Sequence, residues 1–413
     1  MRKILLSLLA VFLLVGVCAA EEPLVVVTID SHVPVYEYAA KVFEERYGIP
    51  VQLVSQAYDK THEVIVTAAV GRSSGFDVVA IDTIYVSNYA LAGIVEPLTN
   101  FAPPEFFAQH TPSSLDMLSY DGVPYALGGG YNYKYFYYNE KLLERAGFQA
   151  PPATWDELVE MSKVMQEKGI VKYGIAWGWA QAEGLICDYT IILNSFGGEF
   201  FDNDGKIVLD TPEARAALQF MYDSIYTHGI ADPASTSLTD REVMSLFLNE
   251  DIAFVINWDF GWTWSQDPAQ SRVIDATRVG LIPGTDKKAS STTGGGSGPA
   301  ILTTSTKKDL AWKFIETFNL PEVQLAYLTE LKSLRITLNE LMSHEALQEE
   351  PYPSMFEQQA YAYPRAKLAW YPQFSSMLQS EIHQALTNGK SLDQALRDAQ
   401  AQVERLMRQF GDL

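Results

Sequence analysis

The alternation of short apolar runs with amphipathic segments between Leu24 and Gly93 constrains the fold most. Leu24-Val-Val-Val-Thr-Ile29 is a continuous apolar run that ends at Asp30-Ser31, the pattern of a strand buried on both faces. A helical stretch from Val35 to Tyr47 stops at Gly48, and Val51 to Val54 forms a second strand. A helix from Lys60 to Val70 closes at Gly71, Asp77 to Ile81 is a third strand ending at Asp82-Thr83, and Tyr85 to Ala92 is helical. Strand, helix, strand, helix predicts an α/β layer with a mostly parallel sheet, whose ligand groups gather at the carboxyl ends of the strands.

At 413 residues the chain is too long for one ordinary core, so two domains are expected. The second half restarts the α/β style. Thr154 and Glu157 open a helix as a capping box, and Lys172 to Trp177 is a strand. A helix runs from Leu185 to Ser195, and Ala253 to Asn257 is another strand. Asp204-Gly205 turns a hairpin between Phe200 and Leu209. The alternative for Asp202-Asn-Asp204, the start of a calcium loop, is the weaker reading. Two stretches read as crossings between domains: Gly128 to Asn139, where three glycines precede six aromatic residues, and the Ser/Thr/Gly run before Pro299. A third crossing is expected at 333–337. Alternation along the first crossing aims Tyr131 at a cleft and turns Tyr137 or Tyr138 inward.

Residues 1–20 form a signal peptide: Arg2-Lys3, an apolar stretch from Ile4 to Val17, and Cys18-Ala-Ala20 before Glu21. Export follows, to the periplasm or another extracytoplasmic space. Cys18 opens an alternative, lipid anchoring, although Val17 stands where a lipobox has a small residue. The mature chain keeps only Cys187, so no internal disulfide can form. The formal charge is −21, and −23 once Arg2 and Lys3 are removed, which argues against a nucleic-acid partner. The six histidines lack metal-ligand spacing, and no Walker, Rossmann or Gly-x-Ser-x-Gly motif is present, so neither metal nor cofactor is expected. Tryptophans group instead near strand ends: Trp177 and Trp179, Trp258 and Trp262, with Trp370-Tyr371 in a late loop. Core packing explains single cases. The set, beside Asp and Asn, suits a sugar, whose C–H face packs on rings while its hydroxyls need hydrogen bonds.

The order of motifs resembles the family 1 extracellular solute-binding proteins of bacterial ABC importers, the group that contains maltose-binding protein. The resemblance rests on Phe76 to Thr83, Gly93 to Leu98, Val123-Pro-Tyr125 leading to Tyr137-Tyr-Asn-Glu140, and Pro152 to Leu158. It continues through Phe196 to Phe200, Ala253 to Trp262, Gly294-Gly-Gly296 and Gly389 to Leu396. It implies two α/β lobes of the type II periplasmic-binding fold joined by three hinge crossings, with residues 21–130 plus 293–334 in one lobe and 131–292 plus 335–413 in the other. It implies a monomeric, non-enzymatic receptor that carries a sugar to a membrane permease. Asp82, Asn132 with Tyr131, Gly295 and Gly296 match contact positions; Asp188 departs from an aromatic one; Phe260 sits where the maltose binder has a stacking Trp; and Trp258, in place of a usual small residue, rebuilds that wall with Asp259 and Trp262. Trp370 and Tyr371 occupy a loop that often supplies a ring. A polyamine or polyol ligand, or a secreted carbohydrate enzyme, are the alternatives. Lys134, the only base in the central stretch, argues against a phosphorylated ligand.

Overall fold

The computed structural model describes residues 22–411 except Tyr131 and Lys367. The expected signal peptide, its Cys18 and the Tyr131 contact lie outside the described residues. Among the described residues no helix is long and apolar enough to cross a membrane.

In the first lobe, β1 (Leu24–Ile29) pairs in parallel with β2 (Val51–Gln56) and β3 (Val78–Asp82). The helix Val33–Tyr47 connects the first two strands and ends on Gly48 in the left-handed conformation, as the sequence pattern requires. Alternate residues feed two cores. Leu24, Val26, Val78 and Ala80 join one apolar cluster, while Val27, Val79 and Ile81 join another on the opposite face. That is why these strands read as unbroken apolar runs rather than as alternation.

The first crossing contains β4 (Asn132–Tyr133) and then β5 (Tyr135–Asn139), the central strand of the second lobe. Beside β5 run β6 (Phe254–Asn257) and β7 (Thr277–Gly280), both antiparallel to it. Here the expectation of a mostly parallel sheet needs refining, because parallel pairing among the described residues of this lobe consists of isolated bridges, such as those from Ile175 to Ala231 and Phe254. The expected strand at 172–177 is reduced to that bridging residue. Both faces of β5 are covered: Phe136 enters one core while Tyr135 and Tyr137 enter another.

The Ser/Thr/Gly run is the second crossing. Its β8 (Gly294–Gly295) pairs with β4, and β9 (Ser297–Ile301) returns to the first sheet antiparallel to β3. The segment from Ser333 to Thr337 packs against the first crossing: a Cβ on Gly130 would lie 2.6 Å from Arg335 Cα. The hairpin at Phe201 and Ile207 forms, with Gly205 at φ +77° and Asp202 Oδ1 accepting from the Asp204 and Lys206 amides.

Thr337 ties this third segment to the first lobe, its hydroxyl 2.8 Å from His110 Nδ1. Burial pushes the His110 imidazole down to about 4. A histidine whose folded value lies below the unfolded one near 6.5 stabilises less as pH falls, and this contribution is lost between about 6.5 and 4. His110→Gln is therefore expected to flatten the acid limb of stability by about 2–3 kcal/mol. Urea midpoints at pH 7 and pH 4.5 check it; equal pH dependence in both proteins would contradict the assignment.

Candidate functional site

A cavity of about 500 Å³ opens between the lobes. One wall comes from the first lobe, with Thr83, Ile84 and Ser87 after β3 and the segment from Met117 to Gly122. Pro364, Arg365, Leu368 and Tyr371 of the second lobe form the other, and Tyr133 and Gly294 of the crossings complete the lining.

Charges are concentrated around Arg365, which is buried. Its Nη1 donates to Glu183 Oε1 at 2.8 Å, and its Nη2 stands 3.9 Å from Asp82 Oδ1 across the lobes. Glu183 also accepts from the Tyr371 hydroxyl at 2.5 Å and from the Ser375 hydroxyl. Asp82 caps the turn after β3 by accepting from Ile84 N at 3.1 Å. Burial raises the Asp82 carboxyl above its ordinary range, while Arg365 and the Ile84 amide oppose that shift. Among the described residues that line the cavity Arg365 is the only base, and Glu183 already neutralises its guanidinium, which disfavours a phosphate. Carboxylates that accept and a guanidinium that donates instead suit a neutral ligand rich in hydroxyls.

A narrower gap adjoins the crossings, lined by His32, Asp259, Phe260, Trp264 and Arg335 among others. Arg335 Nη2 approaches His32 Nε2 at 2.5 Å, and Ser297 Oγ lies 3.0 Å from Nδ1. Because a guanidinium only donates, Nε2 accepts and the imidazole proton sits on Nδ1, facing Ser297. Burial and the Arg335 charge both push the His32 imidazole well down, consistent with the neutral form.

A model of the bacterial extracellular solute-binding proteins matches residues 30–325. The chain belongs to that family. Its sequence is 25% identical to the mannitol-binding protein of Pseudomonas aeruginosa, with 94% of each chain covered. It is 26% identical to a maltotriose-binding protein of Pyrococcus abyssi over 68% of this chain and 60% of that one. The solved structure of maltose-bound MalE3 from T. maritima superimposes with a TM-score of 0.86 at 28% identity, covering 93% of this chain and 99% of that one. A tagatose-bound solute-binding protein from Thermotoga lettingae gives 0.85 at 22% identity, covering 94% and 100%.

Within this solute-binding protein the expected site residues divide into three groups. Asp82 lies at the interlobe gap and Tyr371 lines the cavity. Asn132 is on β4 beside it, with its buried Oδ1 lacking a hydrogen-bond partner. Gly295 is where the chain must be bare: a Cβ would meet Arg365 Nη2 at 2.8 Å and the Trp258 ring at 3.2 Å. Asp259 and Phe260 line the narrower gap, while Trp262 packs on the second lobe's core beside Phe260 and Trp264. Gly296 serves packing, since its Cβ would strike Met117.

Four expected contacts are instead interior. Trp177 and Trp179 stack on each other at 4.7 Å and are 1% and 0% exposed. Their N–H groups donate to Ser224 and Asp188, so neither ring faces the cavity. Asp188 is buried and accepts from Lys134 at 2.6 Å. Trp370 is buried and stacks on Phe410 at 5.5 Å. Lys134, weighed as a cleft base, is also withdrawn into that ion pair.

Sequence reasoning missed Arg365, Glu183 and Tyr58, whose hydroxyl bonds Asp82. Glu183 left one trace: it is the sole acid in the first turn of a helix, Glu183–Ser195, that is otherwise buried and apolar for most of its length.

Proposed function

We propose that this protein captures a neutral carbohydrate or polyol between its lobes and delivers it to an ABC permease, acting as an exported monomer without catalysing a reaction. The observation that carries the reading is the meeting of Asp82 and Arg365, one from each lobe and 3.9 Å apart, where Arg365 lines the cavity. Ligand hydroxyls donate to Asp82, and the Arg365 guanidinium donates to ligand oxygens. Asn132 Oδ1 supplies a further acceptor. The inferred lobes, 21–130 plus 293–334 and 131–292 plus 335–413, turn about the paired crossings, and closing them removes water and strengthens those bonds. The names of its relatives, binders of mannitol and maltotriose, support a hydroxylated ligand.

A thermal-shift screen tests the reading, because a ligand that binds only the folded state raises the midpoint. At a hundredfold excess over Kd the stabilisation is about 2.7 kcal/mol, enough for a shift of several degrees. Saccharides or polyols are expected to shift the midpoint, spermidine and putrescine to leave it unchanged, and oligosaccharides to be recovered intact. A shift with polyamines alone, or cleavage of the oligosaccharide, would contradict the proposal.

A further inference from the structure

The Lys134 ammonium is fully buried, 2.6 Å from Asp188 Oδ1 and 2.9 Å from Asp240 Oδ1. Each carboxylate then uses its other oxygen on an indole. Asp188 Oδ2 accepts from Trp179 Nε1 at 3.0 Å, and Asp240 Oδ2 accepts from Trp258 Nε1 at 2.9 Å. The two arms hold different things. Trp179 belongs to the core, but Trp258 is only partly buried, and its ring reaches the bare face of Gly295 beside Arg365 and the cavity.

Asp240 has little freedom to turn. It opens the helix Asp240–Leu248, which Thr239 caps, and its carbonyl accepts from Asn257 Nδ2 at 2.7 Å. Asn257 Oδ1 in turn accepts from the Trp258 amide at 2.9 Å. Two glycines crowd the carboxylate: a Cβ on Gly178 would lie 2.5 Å from Oδ1, and one on Gly184 would lie 3.0 Å from Oδ2. The backbone of Lys134 is anchored on the second crossing, its carbonyl accepting from Thr292 Oγ1 at 2.6 Å and its amide donating to Thr293 O at 3.2 Å.

We propose that Asp240 is the positioning residue for Trp258, and that Lys134 fixes Asp240 from the hinge strand, so the indole presented beside the cavity is oriented by a charge pair rooted in the crossings. The chemistry requires a carboxylate. An isosteric amide has one acceptor oxygen, and its NH₂ then faces either the ammonium or the indole N–H, donor against donor. Loss of orientation in one ring is expected to weaken ligand binding without removing any direct contact.

The test has a ligand-free arm and a binding arm, the second resting on the carbohydrate reading above. The protein is labelled with 5-fluorotryptophan, and the Trp258 fluorine resonance is assigned by its loss in Trp258→Phe. Asp240→Asn is expected to shift and broaden the Trp258 resonance. Gly184→Ala, which presses on Oδ2 without changing any charge, is expected to move the same resonance and serves should the Asn variant not fold. In the binding arm, Asp240→Asn weakens affinity for the sugar found in the screen by about tenfold, the loss of one good hydrogen bond. In a Trp258→Phe background, which lacks the indole donor, the same change costs less than about twofold. An unmoved Trp258 resonance in the folded variants overturns the proposal. So does an equal loss of affinity in both backgrounds, which marks Asp240 as merely structural. If no sugar binds at all, the carbohydrate reading fails while the fluorine spectra still decide this one.

Discussion

Gly130→Ala is expected to lower stability by about 3–5 kcal/mol, because strain and overlap coincide at that position. The backbone sits at φ +63°, and the new methyl carbon would lie 2.6 Å from Arg335 Cα and 2.9 Å from Leu334 O. Both obstacles are main chain of the third crossing, so no side chain can swing away. Gly48 supplies the control. Its φ is +72° but nothing lies within 4 Å of the added carbon, so Gly48→Ala should cost only the conformational part, about 1 kcal/mol. Urea denaturation of the two variants measures the difference. Equal losses would show that the first and third crossings do not bear on one another.

The second large effect is at Lys134. Its ammonium and the Asp188 carboxylate are 0% and 2% exposed, and removing one partner of a buried pair leaves an uncompensated charge. Lys134→Met is expected to cost about 3–5 kcal/mol at pH 7. The pH dependence identifies the cause. Burial already raises the Asp188 carboxyl to about 6 against the pull of Lys134, and without the ammonium it rises further. A carboxyl whose folded value exceeds its unfolded one stabilises fully below about 4, and that contribution is lost as pH rises through the folded value. Relative to wild type, the variant should therefore recover stability as pH falls from 7 to 5. A deficit independent of pH would place the damage in packing rather than charge.

The first lobe was legible because β1 and β3 are buried on both faces, and an unbroken apolar run between helix stops has few other solutions. The crossings were legible from composition: only glycine fits where Gly295 faces Arg365 and Trp258. The second lobe's strand direction was not, since Tyr135–Asn139 reads alike in parallel and antiparallel company. The tryptophans misled for a physical reason. An indole at a strand end satisfies its N–H equally well inside, as Trp177 does on Ser224 and Trp179 on Asp188, and local sequence does not record which partner is near. The Asp82, Glu183 and Arg365 cluster joins residues about 100 and 180 positions apart, a separation that no local spacing rule spans.

Capture of a neutral, hydroxylated ligand at the interlobe cavity is tested most directly by calorimetric titration of the wild-type protein and Asp82→Ala, with maltose, maltotriose, mannitol and spermidine as ligands. The expected result is saturable one-site binding of at least one sugar or polyol, weakened at least about tenfold in Asp82→Ala, with no heat from spermidine. Saturable binding of spermidine with none from any sugar or polyol, or sugar binding indifferent to Asp82, would contradict it.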